Sequence, residues 1–123
     1  MIAADTSAWI DFGKGADSTA GRRLEEALLQ GTLVMPAPVL FELLSAPGLT
    51  RAFAQHLREL PRIDSQDGYW ERAAELRRAV LAKGLKARAM DCLIAQVCID
   101  EDVALIAADR DFRHFKSFGL KQV

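Results

Sequence analysis

Four acidic residues of this 123-residue chain stand in apolar or small surroundings, unlike most of its other carboxylates. Asp5 and Asp109 each end an Ile-Ala-Ala-Asp tetrapeptide, one near the start of the chain and one near its end. Glu42 lies within "VLFELL", and no lysine or arginine follows it at the third or fourth position. Asp91 opens the apolar stretch "DCLIAQVC". Most other acids lie in charged stretches that are typical of solvated faces.

Carboxylates gathered without compensating lysines repel one another, and divalent cations relieve that repulsion. Oxygen ligands of this kind suit Mg²⁺ or Mn²⁺. Such ions activate water, orient a phosphodiester and stabilise the leaving oxygen. The two histidines, His56 and His114, are isolated, and no histidine–cysteine spacing typical of zinc competes with this interpretation. The sequence therefore predicts metal-assisted hydrolysis if the fold brings the four acids together.

Each acid also has a purely structural interpretation. Asp5 begins Asp-Thr-Ser, a favourable sequence for capping a helix. Asp91 would stabilise a helix N-terminus through its charge, although apolar residues share its helical face at the third, fourth and seventh positions. Glu42 belongs either to the one polar stripe of its helix or to a cleft. The sequence alone leaves these alternatives open.

Short apolar runs alternate with segments of helical periodicity, and this alternation indicates how the acids are positioned. Helices are predicted at 6–12, 20–28, 39–44, 49–60, 69–80 and 90–99, and strands at 1–4, 32–36, 62–63, 103–107 and 120–123. The order predicts one domain over residues 1–123, an α/β sandwich with a mostly parallel sheet. Ligands of such sheets bind beyond the carboxyl ends of the strands. Asp5 and Asp109 would converge there if their strands are neighbours.

The bulk composition excludes several classes of protein. Half of the residues are hydrophobic, which is enough for a core without disulfides, and the net charge is −1. Any nucleic-acid binding must therefore rely on a local patch or on metal ions. Cys92 and Cys98 point in different directions on one predicted helix and are expected to be core residues in a reducing compartment. With no long apolar span and no basic leader, we expect a soluble, cytoplasmic protein.

Four stretches occur in an order that resembles a known family: "DTSAWIDF", "PAPVLFELLSA", "MDCLIAQVC" and "LIAADRDF". They resemble the PIN-domain ribonucleases, and specifically the VapC toxins of bacterial toxin–antitoxin pairs. The resemblance spans essentially the whole chain. It implies a catalytic and metal-binding acidic quartet at Asp5, Glu42, Asp91 and Asp109.

The same resemblance assigns secondary roles and shows one departure. Thr6 matches the small hydroxyl residue that commonly follows the first aspartate, and Asp111 matches a frequent additional acid. Family members often carry threonine or serine two residues before the last aspartate, where this chain has Ala107. The departure removes a hydroxyl group that would support the Asp109 loop.

Membership of this family would imply a PIN-like three-layer α/β/α sandwich and RNA cleavage that depends on Mg²⁺ or Mn²⁺. Transfer RNA and ribosomal RNA are the usual substrates, and their cleavage inhibits translation. The resemblance also implies a homodimer and a cognate VapB-type antitoxin. The antitoxin's tail would block the active site, and its DNA-binding domain would bring the pair to operator DNA.

Three cations precede Asp91 and are candidates for contacts with RNA phosphates: Lys83, Lys86 and Arg88. A solvated helix end and loop explains them equally well. Two other functions stay open, a catalytically inactive PIN-like module that binds RNA or protein, and a PIN nuclease of RNA maturation. The complete set of four carboxylates argues against the first, and the compact length favours a toxin over the second.

Overall fold

A computed structural model describes residues 1–15 and 17–123 of the chain. In these ranges four short strands form one parallel sheet with the order β3-β2-β1-β4. The strands are β1 (Ile2–Ala4), β2 (Leu33–Pro36), β3 (Arg62–Ile63) and β4 (Ala104–Ile106).

Helices connect the strands and cover the sheet. Within the described ranges they are α1 (Thr6–Gly13), α2 (Thr19–Gln30), α3 (Ala37–Leu44), α4 (Arg51–Glu59), α5 (Tyr69–Ala82), α6 (Ala89–Glu101) and a 3₁₀ helix (Arg110–Phe118). None of them is both long and apolar enough to cross a membrane. Gly31 ends α2 in the left-handed conformation, as its position in the sequence predicts.

The strand order determines how the helices are layered. The chain moves across the sheet in one direction from β1 through β2 to β3, and then returns past both inner strands to β4. Because crossovers between parallel strands are right-handed, opposite directions of travel place the connecting helices on opposite faces. This arrangement confirms the predicted α/β fold with helices on both sides of a parallel sheet.

Strand β1 lies inside the sheet, and its small residues are fully buried. Ala3 pairs with Leu105 and Ala4 with Ile106 in the neighbouring β4. The next residue, Asp5, donates its backbone N–H to the carbonyl oxygen of Ile106 at 2.9 Å. The carboxyl ends of β1 and β4 therefore stand side by side.

The C-terminal segment differs in part from the sequence prediction. The strand expected at 120–123 is reduced to a single parallel bridge between Gln122 and Leu105. The preceding 3₁₀ helix was not predicted at all. It occupies the segment between β4 and that bridge.

Candidate active site

Asp5 directly follows β1, and Asp109 lies in the loop after β4. Each residue caps the helix that follows it. The Oδ1 of Asp5 accepts from the N–H of Ala8 at 2.9 Å, which caps α1, and the Asp5 side chain is buried. The Oδ1 of Asp109 accepts from the N–H of Asp111 at 2.9 Å, which caps the 3₁₀ helix. The capping interpretation is therefore correct for Asp5, and Asp109 caps a helix in the same way. Capping leaves the second oxygen of each carboxylate for other contacts.

Ser7 joins these two ends and was missed by the sequence interpretation. Its hydroxyl group donates to Oδ2 of Asp5 at 2.6 Å and accepts from the backbone N–H of Asp109 at 3.1 Å. The Asp109 loop thus receives a hydroxyl contact even though Ala107 has none to offer. The position of Ser7 two residues after Asp5 marks it as part of the capping sequence, but nothing in the sequence signals its contact with Asp109.

Glu42 reaches the same region from α3. Val39 and Leu43 of that helix are buried, which orients the helix and leaves Glu42 half-buried beside α1. The hydroxyl group of Thr6 donates to Oε1 of Glu42 at 2.5 Å. Thr6, the residue that matches the family's small hydroxyl position, therefore contacts an acid that lies 36 residues away in the sequence.

Asp91 lies in the first turn of α6, on the apolar face that the sequence predicts. Ile94, Ala95 and Cys98 on that face are all buried. Burial raises the pKa of Asp91 from its ordinary value of 3.8 to about 6. The negative charges of the other three members of the quartet act in the same direction, and Arg88 opposes them.

The acidic quartet has little compensating charge. Burial also raises the pKa of Asp5, although hydrogen bonds from Ser7 and Ala8 stabilise its charged form. Among the described residues, no lysine or arginine forms a salt bridge with any of the four acids. The site therefore favours protons or cations.

The chemistry of these carboxylates suits divalent metal ions, but the side chains are not arranged around one ion. Hard carboxylate oxygens and an excess of negative charge are what Mg²⁺ and Mn²⁺ require. Yet in residues 1–15 and 17–123 no three acidic, histidine or cysteine side chains lie close enough together to hold one ion as they stand. The contacts with Ser7 and Thr6 orient Asp5 and Glu42 as hydrogen-bond acceptors. Ligation would need these side chains to rotate towards a common point.

Two of the other candidate residues contact the 3₁₀ helix, Lys86 in its first turn and Lys83 in its last. The Nζ of Lys86 lies 4.0 Å from Oδ2 of Asp111. Lys83 donates to the hydroxyl group of Ser117 at 3.3 Å. Arg88 precedes α6 and acts electrostatically on Asp91. Lys83 and Lys86 thus contact the 3₁₀ helix, and Asp111 contacts Asp109 of the quartet through its backbone N–H.

The domain has a parallel α/β fold, with two acids beyond adjacent strands and two further acids on helices. This combination is typical of nuclease-like domains. The profile of the PIN domain matches residues 2–117, and the chain belongs to the PIN-domain family. It is similar to ribonuclease VapC11 of Mycobacterium tuberculosis, at 28% identity over 119 residues, which covers 91% of this chain and 89% of that protein. A VapC ribonuclease of Mycobacterium bovis shows the same identity and coverage.

Solved structures show the same likeness in three dimensions. A chain of VapBC2 from Rickettsia felis, bound to a DNA fragment from its promoter, superposes with a TM-score of 0.73 at 25% identity, covering 100% of this chain and 98% of that one. A chain of DNA-bound VapBC from Salmonella typhimurium gives 0.71 at 15% identity, with 100% and 98% covered. The second likeness shows the fold alone.

Proposed function

We propose that this protein is the toxin of a type II toxin–antitoxin system, a ribonuclease that depends on Mg²⁺ or Mn²⁺. One observation carries the proposal: Asp5, Glu42 and Asp109 all act electrostatically on the partly buried Asp91, and among the described residues none of the four acids forms a salt bridge with a lysine or arginine. Carboxylate oxygens with an excess of negative charge are ligands that suit divalent metal ions. The similarity to VapC ribonucleases supports the same conclusion.

The chain's own residues would hold the ion and the RNA. Asp5, Glu42, Asp91 and Asp109 are the proposed ligands and catalytic residues. Bound metal would supply activation of a water and stabilisation of the departing oxygen. Ser7 and Ala8 fix the orientation of Asp5, and Thr6 restrains Glu42.

Protonation of the quartet limits the pH range of this chemistry. With a pKa of about 6, Asp91 is largely ionised at neutral pH and becomes protonated in mild acid. Protonation removes a charged ligand. Metal binding should therefore weaken as the pH falls through about 6.

The proposed partners follow from the relatives. The similar VapBC2 structure from Rickettsia felis is bound to a DNA fragment from its promoter, and we propose a VapB-type antitoxin for this chain, with operator DNA reached only through it. We also propose a homodimer in the cytoplasm that inhibits translation by cleaving transfer or ribosomal RNA. Lys83, Lys86 and Arg88 are proposed contacts of the RNA backbone near Asp91.

The test is an RNA cleavage assay on protein purified without antitoxin. The unsubstituted protein should cleave RNA with Mg²⁺ or Mn²⁺ and lose activity in excess EDTA. Asp5→Asn and Asp91→Asn should be inactive, whereas Glu25→Gln, a neutralised exposed acid on α2, should retain full activity. Activity of the Asn variants, or activity in EDTA, would contradict the metal mechanism. Growth arrest on induction, relieved by co-expression of the neighbouring antitoxin gene, would establish the toxin role.

One observation favours a second candidate, an inactive PIN-like module that binds RNA or protein. As the side chains stand, no three potential ligands in the described residues surround a common point. A module of this kind would bind RNA with no metal requirement and would show no cleavage in any metal. The cleavage assay separates the two functions.

A further inference from the structure

The 3₁₀ helix has a sequence period of three that matches its geometry. A 3₁₀ helix has three residues per turn, so side chains three positions apart lie in line. Phe112 and Phe115 are fully buried, and Phe118, one turn further on, packs against the same core. One of the three faces of this helix is therefore an aromatic face that anchors it to the protein.

The second face binds the loop between α5 and α6. Asp111 lies beside Lys86, and Nδ1 of His114 lies 3.0 Å from the carbonyl oxygen of Lys86. Ser117 accepts from Lys83, whose Nζ also lies 4.7 Å from the centre of the Phe118 ring. Through this face the helix contacts Lys83 and Lys86 of the loop.

The third face carries three cations and faces solvent. Arg110, Arg113 and Lys116 are all exposed, and in the part of the chain that the structure describes none of them has a salt bridge or a side-chain hydrogen bond. At a rise of about 2.0 Å per residue, their backbone positions recur every ~6 Å along one line. We call these three residues the cationic stripe.

Three aligned like charges without partners are unfavourable in the isolated protein, because each repels the next. The stripe begins at Arg110, directly after Asp109 of the quartet, and runs away from the site along the surface. A regularly spaced polyanion complements a regularly spaced row of cations.

We propose that the cationic stripe binds the backbone phosphates of an RNA strand and guides that strand to the quartet. This inference rests on the proposed ribonuclease function and adds the surface that holds the substrate. Successive phosphates of a nucleic-acid strand are separated by about one turn of a 3₁₀ helix, so the three cations can contact consecutive phosphates. Phosphate contacts carry no base preference, so the stripe would set register and affinity rather than sequence specificity.

The experiment is a salt titration of RNA binding in EDTA, where neither cleavage nor metal is involved. The probe is a fluorescently labelled single-stranded oligoribonucleotide of mixed sequence. For single strands the slope of log K against log salt is about −0.7 per phosphate contacted. The triple variant R110Q/R113Q/K116Q should therefore show a slope shallower by about 2, and weaker binding at low salt.

A matched control separates the stripe from net charge. Arg51, Arg58 and Arg78 are exposed arginines on α4 and α5 without side-chain partners in the described residues. The variant R51Q/R58Q/R78Q removes the same three charges and should keep the original slope. The charge-conserving variant R110K/R113K should keep it as well. Thermal unfolding should be unchanged in all three, because the substituted side chains are exposed.

Equal slopes for the stripe variant and the arginine control would overturn the proposal, since RNA would then sense only the total charge. Unchanged RNA binding by the stripe variant would also overturn it and would assign the surface to an acidic protein partner. Because this titration needs no cleavage, a stripe-dependent slope in a protein without nuclease activity would uphold the binding surface while rejecting the proposed ribonuclease function.

Discussion

Asp91→Asn should stabilise the metal-free protein near neutral pH while abolishing metal-dependent activity. Burial raises the pKa of Asp91 from 3.8 to about 6, with the other members of the quartet acting in the same direction. At 1.36 kcal/mol per pH unit this difference corresponds to roughly 3 kcal/mol. Asp91 is only partly buried, so solvent screening reduces the effect. We therefore expect the variant to gain about 1–2 kcal/mol in free energy of unfolding at about pH 7.5.

The gain should depend on pH with a definite sign. The native state holds the Asp91 proton more tightly than the unfolded chain does, so ionisation of this group destabilises the fold. Its destabilising effect is absent below about pH 4, grows as the pH rises towards about 6, and is complete above that. The difference between variant and unsubstituted protein should follow the same curve.

Urea unfolding of metal-free protein across that pH range measures this difference directly. Glu25→Gln is the control, because it neutralises an exposed acid that lies outside the site. Adding Mg²⁺ should stabilise the unsubstituted protein, since ligand binding to the native state shifts unfolding, and should stabilise the Asn variant much less. An Asp91→Asn protein no more stable than the unsubstituted one at neutral pH, or a Glu25→Gln protein with the same pH profile, would refute the reasoning.

Three further predictions concern other contacts. Ser7→Ala should raise hydrogen exchange at the Asp109 amide about tenfold and weaken Mn²⁺ binding about 10-fold or more, because the amide and the Asp5 carboxylate lose their shared hydroxyl group. Cys92 and Cys98 should react with a thiol reagent at about pH 8 only on unfolding, since burial raises their pKa to about 11 and about 12. Arg72→Ala should lower the midpoint of urea unfolding, because it leaves the nearly buried Asp100 without its bidentate partner.

Each of these three has its own control. Ser18→Ala removes another serine at a helix start, which accepts from the Gly21 amide at 3.0 Å, and should cost stability without changing Mn²⁺ affinity. Equal effects of the two serine variants on Mn²⁺ binding would show that Ser7 has no specific role at the metal site. Rapid thiol labelling of the native protein would contradict the burial of both cysteines. For Arg72, a substitution at the exposed Arg78 of the same helix should have little effect on stability.

Much of the fold could be predicted from the sequence, because the patterns that mark its strands, helices and helix caps are local. The tetrapeptides that end in Asp5 and Asp109 combine a buried run with a helix cap, and both features are visible without tertiary information. Asp91 was recognisable from its apolar helical face. The convergence of the strands required one further assumption, that β1 and β4 are neighbours, and the sheet order confirms it.

The features that were missed depend on contacts between distant segments or on an unusual helix type. Ser7 contacts Asp109 across 102 residues of sequence, and nothing near either residue indicates that contact. The phenylalanines of the 3₁₀ helix recur every three residues, a period that matches neither an α-helix nor a strand. The strand predicted at 120–123 was an over-prediction instead, because the sequence pattern of so short a segment does not distinguish a strand from a single bridge.

Calorimetric titration of metal-free protein with Mn²⁺ tests the central claim most directly, because it measures metal binding to the quartet without requiring cleavage. We expect saturable binding at or below millimolar Mn²⁺ near neutral pH, weaker binding as the pH falls through about 6, and loss of binding in Asp5→Asn. Glu25→Gln should bind like the unsubstituted protein. An absence of binding at millimolar metal, or undiminished binding by Asp5→Asn, would contradict a metal centre built on the quartet.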